Sequence, residues 1–545
     1  MIKNPLSAAR IKRDGALWCN QTIAQGAWQK AWEQPDEVAI YLEGELAITY
    51  GSIADEARRL ITALRQLGLE QGDVISFQLP NWRESVVVDI AASALGLIVN
   101  PVIPIYRDHE LRFILKDVRT RLIYIPEQVR SLEFPSMLAA LRANLPDLEF
   151  VVTVRAQQEY EGMLRYEDLL ENAPVDLETL PEIDPNSIKA ILYTSGTTGT
   201  PKAVMHSHNT LARVIQNSLD CWDMDERDVM LMPSPVTHIT GYGSGMVLPF
   251  VTSVKSALMA RWDADAAVAF INEVGATGSV GATPFLVELV AAARRHNTGL
   301  PSMRLFACGG AAVPPQVIYD ACASLDNCRA FRVYGSTETP IITLGFVGAG
   351  QQQLAAETDG QIYAYEVKIL DEQGREVAPG VDGEIAARGA GMMLGYADPK
   401  QNAQAHDSEG FFLTGDIGHV TPDNAILITD RKKDIIIRGG ENISAKEVED
   451  VLHDHPDIRE VAVVAMPHER LGEGVCAFII LEDPQCQLAL SDVAKFADQA
   501  LLAKQKIPQH IELVTDLPRT ASGKVRKDVL RRQISDVSKS AQLQA

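Results

Sequence analysis

Apolar runs that end in loops of small and polar residues constrain the fold of this 545-residue chain most strongly. They alternate with amphipathic helical patterns, such as 52–67, in which apolar residues recur at helical spacing. Strands that alternate with helices form parallel sheets, and ligands bind beyond the carboxyl ends of the strands. The sequence therefore predicts an α/β fold with binding loops after the strands 229–232, 278–282, 305–307 and 331–334.

Two other segments have their own patterns. Residues 234–245 read SPVTHITGYGSG and predict a glycine-rich turn that contains His238, whereas 131–185 predict peripheral helices. Short β-like runs separated by turns indicate a β-rich subdomain over about 345–430. Residues 431–545 predict a small α+β domain, and the charged and then glycine-rich stretch 430–442 suits a hinge. The expected domains are therefore 1–430 and a mobile 431–545.

One loop carries an unusual density of hydrogen-bond donors. It spans 193–204, reads YTSGTTGTPKAV and follows an apolar strand pattern. Gly196 and Gly199 let backbone N–H groups face a ligand, and Lys202 adds a positive charge. Hydroxyl donors come from Thr194, Ser195, Thr197, Thr198 and Thr200. An ordinary surface loop is the alternative, but donors beside a lysine favour polyphosphate, without the Gly-Lys-Ser/Thr sequence of a P-loop.

Charge and cysteine content exclude several functional classes. A net charge of −22 argues against a nucleic-acid partner, which a basic face would attract. The seven cysteines form no CxxC pair, so we expect a reducing compartment, no disulfides and no zinc site. The most apolar region, 86–105, is interrupted by Asp89, Asn100 and two prolines and predicts no transmembrane segment. A cytoplasmic location is expected, with a mitochondrial presequence as the alternative left by the basic N-terminus.

Six motifs occur in an order that resembles one family. They are TSGTTGTPK, YGSTET, ARGAGMMLGY, FFLTGD, DRKKDIIIRGGENI and PRTASGKVRK. The order and spacing are similar to those of the adenylate-forming superfamily of acyl-CoA synthetases, luciferases and peptide-synthetase adenylation domains, over 49–527. The resemblance implies a large N-terminal and a small mobile C-terminal domain. It also implies an activity: ATP and a carboxylate give acyl-AMP and pyrophosphate, and a thiol then displaces AMP.

The resemblance also implies the nucleotide site. The loop Thr194, Ser195, Gly196, Thr197, Thr198, Gly199 and Lys202 would hold the phosphates, although Ala203 stands where the family usually has glycine. Glu338, with Thr198, would hold Mg²⁺. Thr337 would bind the α-phosphate. The adenine and ribose contacts would come from Gly309, Gly310, Ala311, Tyr334, Gly335, Asp416 and Arg431.

Further residues match the catalytic steps of the family. Lys524 would bridge the carboxylate and the α-phosphate, and His238 would lie beside the carboxylate. Lys433 matches the hinge position, and Gly439 and Gly440 match a loop that lines the pantetheine tunnel. The alternative for each charged residue is an ordinary solvated side chain.

The acyl pocket of the family corresponds here to His238, Gly243, Gly281 and Ile341. No Lys or Arg lies in 234–250 or 279–290 to pair a second carboxylate, and no Asp or Glu lies in 234–250 to pair an amino group. We therefore expect an apolar monocarboxylate, either a medium-chain fatty, alicyclic or aryl acid, with ATP, Mg²⁺ and CoA. The motifs look most like medium-chain fatty acid and cyclohexanecarboxylate–CoA ligases. The alternatives are loading of a carrier protein and a nucleotide sensor without activity; the oligomeric state stays open, a homodimer being one case.

Overall fold

The computed structural model describes residues 2–45, 47–129, 131–194, 201–311, 313–438, 441–468, 470–519 and 524–542. The chain forms two compact units. The first unit comprises Met1–Glu366 and Ala387–Phe412, and the second comprises Val367–Ala386 and Leu413–Ala545. The expected domain boundary at residue 430 and the mobility of the C-terminal domain remain predictions.

The strands of the described residues are, in chain order, β1 Val38–Leu42, β2 Ile48–Thr49, β3 Val74–Phe77, β4 Ile98–Pro101, β5 Thr120–Pro126, β6 Gln128–Val129, β7 Leu132–Glu133, β8 Phe150–Val154, β9 Leu164–Arg165, β10 Ile188–Thr194, β11 Lys202–Ser207, β12 Val229–Met232, β13 Lys255–Leu258, β14 Gly278–Gly281, β15 Leu305–Gly309, β16 Arg329–Val333, β17 Tyr365–Leu370, β18 Gly383–Gly389, β19 Gly395–Tyr396, β20 Phe412–Val420, β21 Ile426–Arg431, β22 Ile436–Arg438, β23 Glu441–Ile443, β24 Ile458–His468, β25 Gly472–Leu481 and β26 His510–Leu513.

The helices are α1 Ala8–Asp14, α2 Ile23–Glu33, α3 Tyr50–Gln66, α4 Arg83–Leu95, α5 Asp108–Asp117, α6 Phe134–Arg142, α7 Tyr166–Leu169, α8 His208–Trp222, α9 Ile239–Gly241, α10 Leu248–Val251, α11 Ala264–Val274, α12 Thr283–Arg295, α13 Pro315–Ser324, α14 Gln352–Glu357, α15 Pro399–Ala405, α16 Ala445–His453, α17 Leu490–Gln499 and α18 Lys527–Gln542. A π-helix, Tyr242–Val247, connects α9 to α10. Short 3₁₀ turns lie at Gly15–Leu17, Leu177–Thr179 and Lys504–Lys506. None of the helices traced in the described ranges is long and apolar enough to cross a membrane.

Two sheets form the framework of the first unit. Within the described residues, one has seven strands in the order β16-β15-β14-β12-β13-β1-β2, and all its pairs except β1–β2 are parallel. The other has eight strands in the order β19-β11-β10-β4-β3-β5-β8-β9, with antiparallel pairs only at β10–β11 and β11–β19. Buried apolar side chains of strands and helices form the core of each sheet.

Most strand pairs recorded in the described residues of the second unit are antiparallel, and β26 pairs with β25 in parallel. Strands β17, β18, β20 and β21 follow one another in a four-stranded sheet. Farther along the chain, the hairpin β24–β25 lies in a five-stranded sheet. Residues of α16 and α17 pack on one face of this sheet, and Leu530 and Ile534 of α18 pack on the other. The expected fold class, parallel α/β with a β-rich part and a small C-terminal α+β part, is confirmed.

Two expectations about secondary structure are only partly correct. Residues 234–238, with His238, form bends and turns as expected, but 239–245 are helical. Glycine there permits close packing: a Cβ on Gly241 would lie 2.1 Å from the carbonyl oxygen of Pro235. The stretch 131–185 contains strand β8 of the larger sheet, because its Val-rich run is buried on both faces. In both places tertiary packing overrides the local composition.

Candidate active site

The carboxyl ends of neighbouring parallel strands meet at one edge of the seven-stranded sheet. Gly281 at the end of β14 lies beside Cys308 of β15, and Gly309 at the end of β15 lies beside Val333 of β16. Strand β12 is the parallel neighbour of β14, so the segment that follows β12 leaves at the same edge. This register brings together the predicted adenine loop, the YGSTET loop and segments predicted to line the acyl pocket.

The predicted phosphate loop joins the two strands of a hairpin. Strands β10 and β11 are antiparallel, and Thr194 is the partner of Lys202 in the register. Ser195, Gly196, Thr197, Thr198, Gly199 and Thr200 lie outside the described residues. Ala203, where the resemblance leads us to expect glycine, is an ordinary strand residue paired with Tyr193, so its methyl group is accommodated.

Tyr396 connects the phosphate hairpin to the predicted metal carboxylate. Strand β19 extends the larger sheet beside β11, with Tyr396 opposite Val204. The Nζ atom of Lys202 lies 4.9 Å from the centre of the Tyr396 ring. The Tyr396 hydroxyl donates a 2.8 Å hydrogen bond to Oε1 of Glu338. Burial and the neighbouring Glu338 carboxylate raise the pKa of Tyr396, so its hydroxyl keeps the proton that it donates.

The backbone of the YGSTET loop is held at Thr337 and at Glu338. Met393 N–H donates to the Glu338 carbonyl at 2.7 Å. The buried His206 imidazole lies 2.7 Å, through Nε2, from the Thr337 carbonyl. Because a carbonyl only accepts, Nε2 carries the proton, and Nδ1 accepts from the Thr210 hydroxyl at 3.1 Å. Burial lowers the pKa of His206 to about 4, which keeps the ring neutral at physiological pH.

The same loop turns back tightly on itself. Tyr334 N–H donates to Oγ1 of Thr343 at 2.8 Å, and Thr343 N–H donates to the Tyr334 carbonyl at 3.1 Å. A Cβ on Gly335 would lie 2.2 Å from the nitrogen of Ile341, so a side chain there would displace the backbone. Ile341 has a φ of 49°, which is rare for a β-branched residue and marks local strain at a predicted pocket position.

The predicted adenine loop follows β15. A Cβ on Gly309 would lie 2.3 Å from the Val333 carbonyl oxygen, so this glycine permits the close approach of β15 and β16. Gly310 has a φ of 84°, which favours glycine. Gly310 and Ala311 are exposed, and their backbone is accessible to a flat base.

The predicted acyl-pocket residues lie on helical segments and strand ends. His238 is half-buried, and its Nδ1 lies 3.5 Å from the backbone nitrogen of Thr240, at the start of α9. A Cβ on Gly243 of the π-helix would meet no atom within 4 Å, so an open space faces this position. A Cβ on Gly281 would instead lie 2.9 Å from the Phe285 ring. Of these two predicted pocket glycines, Gly243 is thus the one at which a Cβ has room.

Some predicted residues belong to the second unit. Asp416 and Arg431 are partners in the β20–β21 register, and Nε of Arg431 lies 2.8 Å from Oδ1 of the buried Asp416. Lys433 is exposed, and Lys524 is half-buried just before α18. Val525, the next residue, forms an isolated antiparallel bridge with Arg519. Gly439 and Gly440 lie outside the described residues.

Three side chains that support this site were not predicted from the sequence. Tyr396 belongs to the motif ARGAGMMLGY, but no role was assigned to it. His206 is identified only by its contact with Thr337, 131 positions away. Asn81, after β3, donates to the Ser234 carbonyl at 3.0 Å and accepts from Val236 N–H at 2.7 Å, which holds the segment before His238. The available signal for Tyr396 was a hydroxyl-bearing residue at the end of a motif made mostly of small and apolar residues.

Comparisons with known proteins identify the family. The family model described as "AMP-binding enzyme" matches residues 27–397, and that of the "AMP-binding enzyme C-terminal domain" matches 447–524. The medium-chain fatty-acid–CoA ligase of Escherichia coli (strain K12) is 34% identical over 532 residues, covering 96% of this chain and 93% of the relative. The indoleacetate–CoA ligase of Aromatoleum aromaticum (strain EbN1) is 30% identical over 502 residues, with coverages of 92% and 96%.

A solved structure agrees with these matches. The ATP-bound crystal structure of MatB from Rhodopseudomonas palustris aligns with a TM-score of 0.85 and 26% identity, covering 95% of this chain and 99% of that chain. The enzyme class expected from the motifs, an acid–thiol ligase, is confirmed by the relatives. The six motifs, the two matched regions and the relatives thus lead to one conclusion: the chain belongs to the AMP-binding enzyme family.

Proposed function

We propose that this enzyme joins an apolar monocarboxylic acid to CoA in two steps. In the first step, a carboxylate oxygen attacks the α-phosphorus of ATP, acyl-AMP forms and pyrophosphate leaves. In the second step, the CoA thiol attacks the acyl carbon, the thioester forms and AMP leaves. The first step brings two anions together, so the site has to offset their repulsion and align them.

The arrangement of Lys202, Tyr396 and Glu338 carries this proposal. A lysine beside a donor-rich loop suits the β- and γ-phosphates, and a carboxylate close by suits the cation that accompanies them. Tyr396 connects the two through its ring and its hydroxyl. The β- and γ-phosphates of an ATP molecule bound here would leave as pyrophosphate.

The described residues fit a Mg²⁺ ion that is bound together with ATP. Among them, no group of three or more His, Cys, Asp or Glu side chains is assembled to hold a metal alone. Oε1 of Glu338 accepts from Tyr396, while Oε2 has no hydrogen-bond partner in the described part of the chain. Mg²⁺ usually takes one or two carboxylates, phosphate oxygens and water. Glu338 would hold it, and Mg²⁺ would offset the charge that develops on the leaving pyrophosphate.

Several other predicted residues would act in one of the two steps. Thr337, positioned by His206, would donate to the α-phosphate, and Asp416 would accept from the ribose hydroxyls. Lys524 would neutralise the carboxylate and the α-phosphate as they approach. Gly439 and Gly440 would line the path of the pantetheine arm, and Lys433 would act as the hinge between the two steps.

An apolar acid is supported by the residues near Gly243. The segment 234–250 contains no Asp, Glu, Lys or Arg, and open space faces Gly243. The relatives in Escherichia coli and Aromatoleum aromaticum are named for a medium-chain fatty acid and for indoleacetate, both apolar carboxylic acids. We therefore propose medium-chain fatty, alicyclic or aryl acids as substrates.

Free CoA is the proposed acceptor, and a carrier protein is the second candidate. Both acceptors present the same pantetheine thiol, so the predicted site alone does not separate them. Both relatives described above are CoA ligases by name.

Pyrophosphate release across a panel of carboxylic acids, with and without CoA, tests the proposal. We expect rapid release that depends on ATP, Mg²⁺ and an apolar acid, and a CoA thioester that forms without any carrier protein. Thioester formation only with an added carrier protein would favour the second candidate. An absence of acid-dependent pyrophosphate release with the whole panel would contradict both.

A further inference from the structure

The N-terminal helix α1 contacts residues 390–396, the segment that forms hydrogen bonds with Glu338. It precedes residue 27, at which the match to the family model begins. Arg10 of α1 is only 9% exposed, and its guanidinium donates through Nη1 to the Met393 carbonyl and through Nη2 to the Met392 carbonyl. Nε of Arg10 lies 3.3 Å from Oδ2 of Asp14, which supplies the counter-charge. One planar cation thus bridges two consecutive peptide groups.

The same peptide segment bonds to the predicted metal carboxylate at two points. The N–H of Met393, whose carbonyl accepts from Arg10, donates to the Glu338 carbonyl. Three residues later, the Tyr396 hydroxyl donates to the Glu338 carboxylate. A second N-terminal side chain reinforces the segment, because Nε1 of Trp18 donates to the Ala390 carbonyl at 3.0 Å.

We propose that Arg10 is a positioning residue for Glu338, acting through residues 390–396. Without the guanidinium, two buried carbonyls would lose their donors, and the segment would no longer be fixed relative to Glu338. The planar fork of arginine matches two adjacent carbonyls, whereas a lysine ammonium offers one compact charge. This inference rests on the proposed role of Glu338 in holding Mg²⁺.

The test compares Arg10→Gln and Arg10→Lys with Arg13→Gln. Arg13 lies on the same helix and binds the same Asp14, but its side-chain hydrogen bonds within the described residues go only to Asp14. Two quantities are measured: hydrogen–deuterium exchange at the Met393 amide without ligands, and the Mg²⁺ concentration that gives half-maximal ATP–pyrophosphate exchange.

In both Arg10 variants, the Met393 amide should exchange its hydrogen faster. Half-maximal ATP–pyrophosphate exchange should require about tenfold more Mg²⁺, as is typical when the residues that support a metal ligand are lost. Thioester formation from pre-made acyl-AMP and CoA should be retained, because no polyphosphate takes part in it. Arg13→Gln should match the wild type in all three measurements. Unchanged Met393 exchange with an unchanged Mg²⁺ requirement, or equal loss of both half-reactions, would overturn the inference.

A further variant separates this inference from the proposed function. If Glu338→Gln leaves the Mg²⁺ requirement unchanged, the proposed role of Glu338 fails, and Met393 exchange still decides whether Arg10 fixes the segment. If neither Arg10 variant folds, Trp18→Phe removes the other N-terminal donor to the segment. It should raise Met393 exchange and the Mg²⁺ requirement in the same direction, and wild-type values for both would overturn the inference.

Discussion

The Tyr396 hydroxyl donates a 2.8 Å hydrogen bond to the Glu338 carboxylate, and the two residues are 58 positions apart in the chain. The β11–β19 pairing places Tyr396 at the edge of the phosphate hairpin, so strand register determines this contact. The ammonium group of Lys202 lies over the ring of the same tyrosine. A lysine predicted to bind phosphate and a carboxylate predicted to hold Mg²⁺ thus both contact one uncharged side chain.

Tyr396→Phe tests this contact directly. The variant keeps the ring beside Lys202 but loses the hydrogen bond to Glu338, so ATP–pyrophosphate exchange should slow by about tenfold. Thioester formation from acyl-AMP should be unchanged. Tyr160→Phe is the matched control, because Tyr160 donates a 2.7 Å hydrogen bond to Glu127 elsewhere in the first unit. Equal effects of the two substitutions on exchange would contradict a special role for Tyr396.

Lys524→Ala tests the predicted division of labour between the two half-reactions. Loss of the ammonium should slow acyl-AMP formation by at least about 100-fold, since a charge that stabilises the transition state is removed. Thioester formation from pre-made acyl-AMP should persist. Rapid-quench measurements of the separate half-reactions check this expectation. Lys504→Ala, at an exposed lysine of the second unit, should leave both rates unchanged. Equal losses in the two half-reactions would argue against the role.

Gly243→Val tests the assignment of the acyl pocket. A Cβ at this position meets no atom within 4 Å, so we expect the variant to fold and to narrow the predicted pocket. Its kcat/KM should fall at least about tenfold more for the longest accepted acid than for the shortest, as expected when a pocket loses room for a methylene group.

Gly245→Ala serves as a contrast for the pocket. Its Cβ would lie 2.6 Å from Cγ of Met232, so it should lower the melting temperature rather than alter the preference for chain length. The same fractional loss of kcat/KM for every acid in Gly243→Val would contradict the assignment.

His206 makes stability depend on pH. Its pKa is about 4 in the folded protein, below the ordinary value of about 6.5, so the unfolded chain binds more protons between these values. The contribution to stability is therefore complete above pH 6.5 and is lost as the pH falls towards 4. Between pH 6.5 and 4, the unfolding free energy of His206→Gln should fall by up to about 3 kcal/mol less than that of the wild type. Urea unfolding at a series of pH values measures this difference.

Two comparisons complete the pH experiment. His208 is also buried, and burial holds its pKa well below the usual value, so a residual slope should remain in the His206 variant. His109→Gln, at an exposed position, should leave the wild-type slope unchanged. A His206→Gln protein with the wild-type slope would show that His206 does not cause it.

The sequence alone was sufficient for the family, the fold class and the loops at the strand ends. Six motifs in order carry that information, and strand ends are recognisable from apolar runs followed by small residues. It was not sufficient for contacts across long separations, such as Tyr396 with Glu338 or His206 with Thr337. These depend on strand register, which local patterns do not encode. The helical form of 239–247 was missed because glycines that serve close packing look like glycines that form turns.

The contact of both Lys202 and Glu338 with Tyr396 has a consequence for the release of product. Both side chains contact Tyr396, which lies in the edge strand β19 of the larger sheet. If the β- and γ-phosphates bind at Lys202 and Glu338 as proposed, the pyrophosphate that forms stays beside both residues. Its departure should then require water and dissolved ions to replace these contacts, so its rate should respond to ionic strength more than to viscosity.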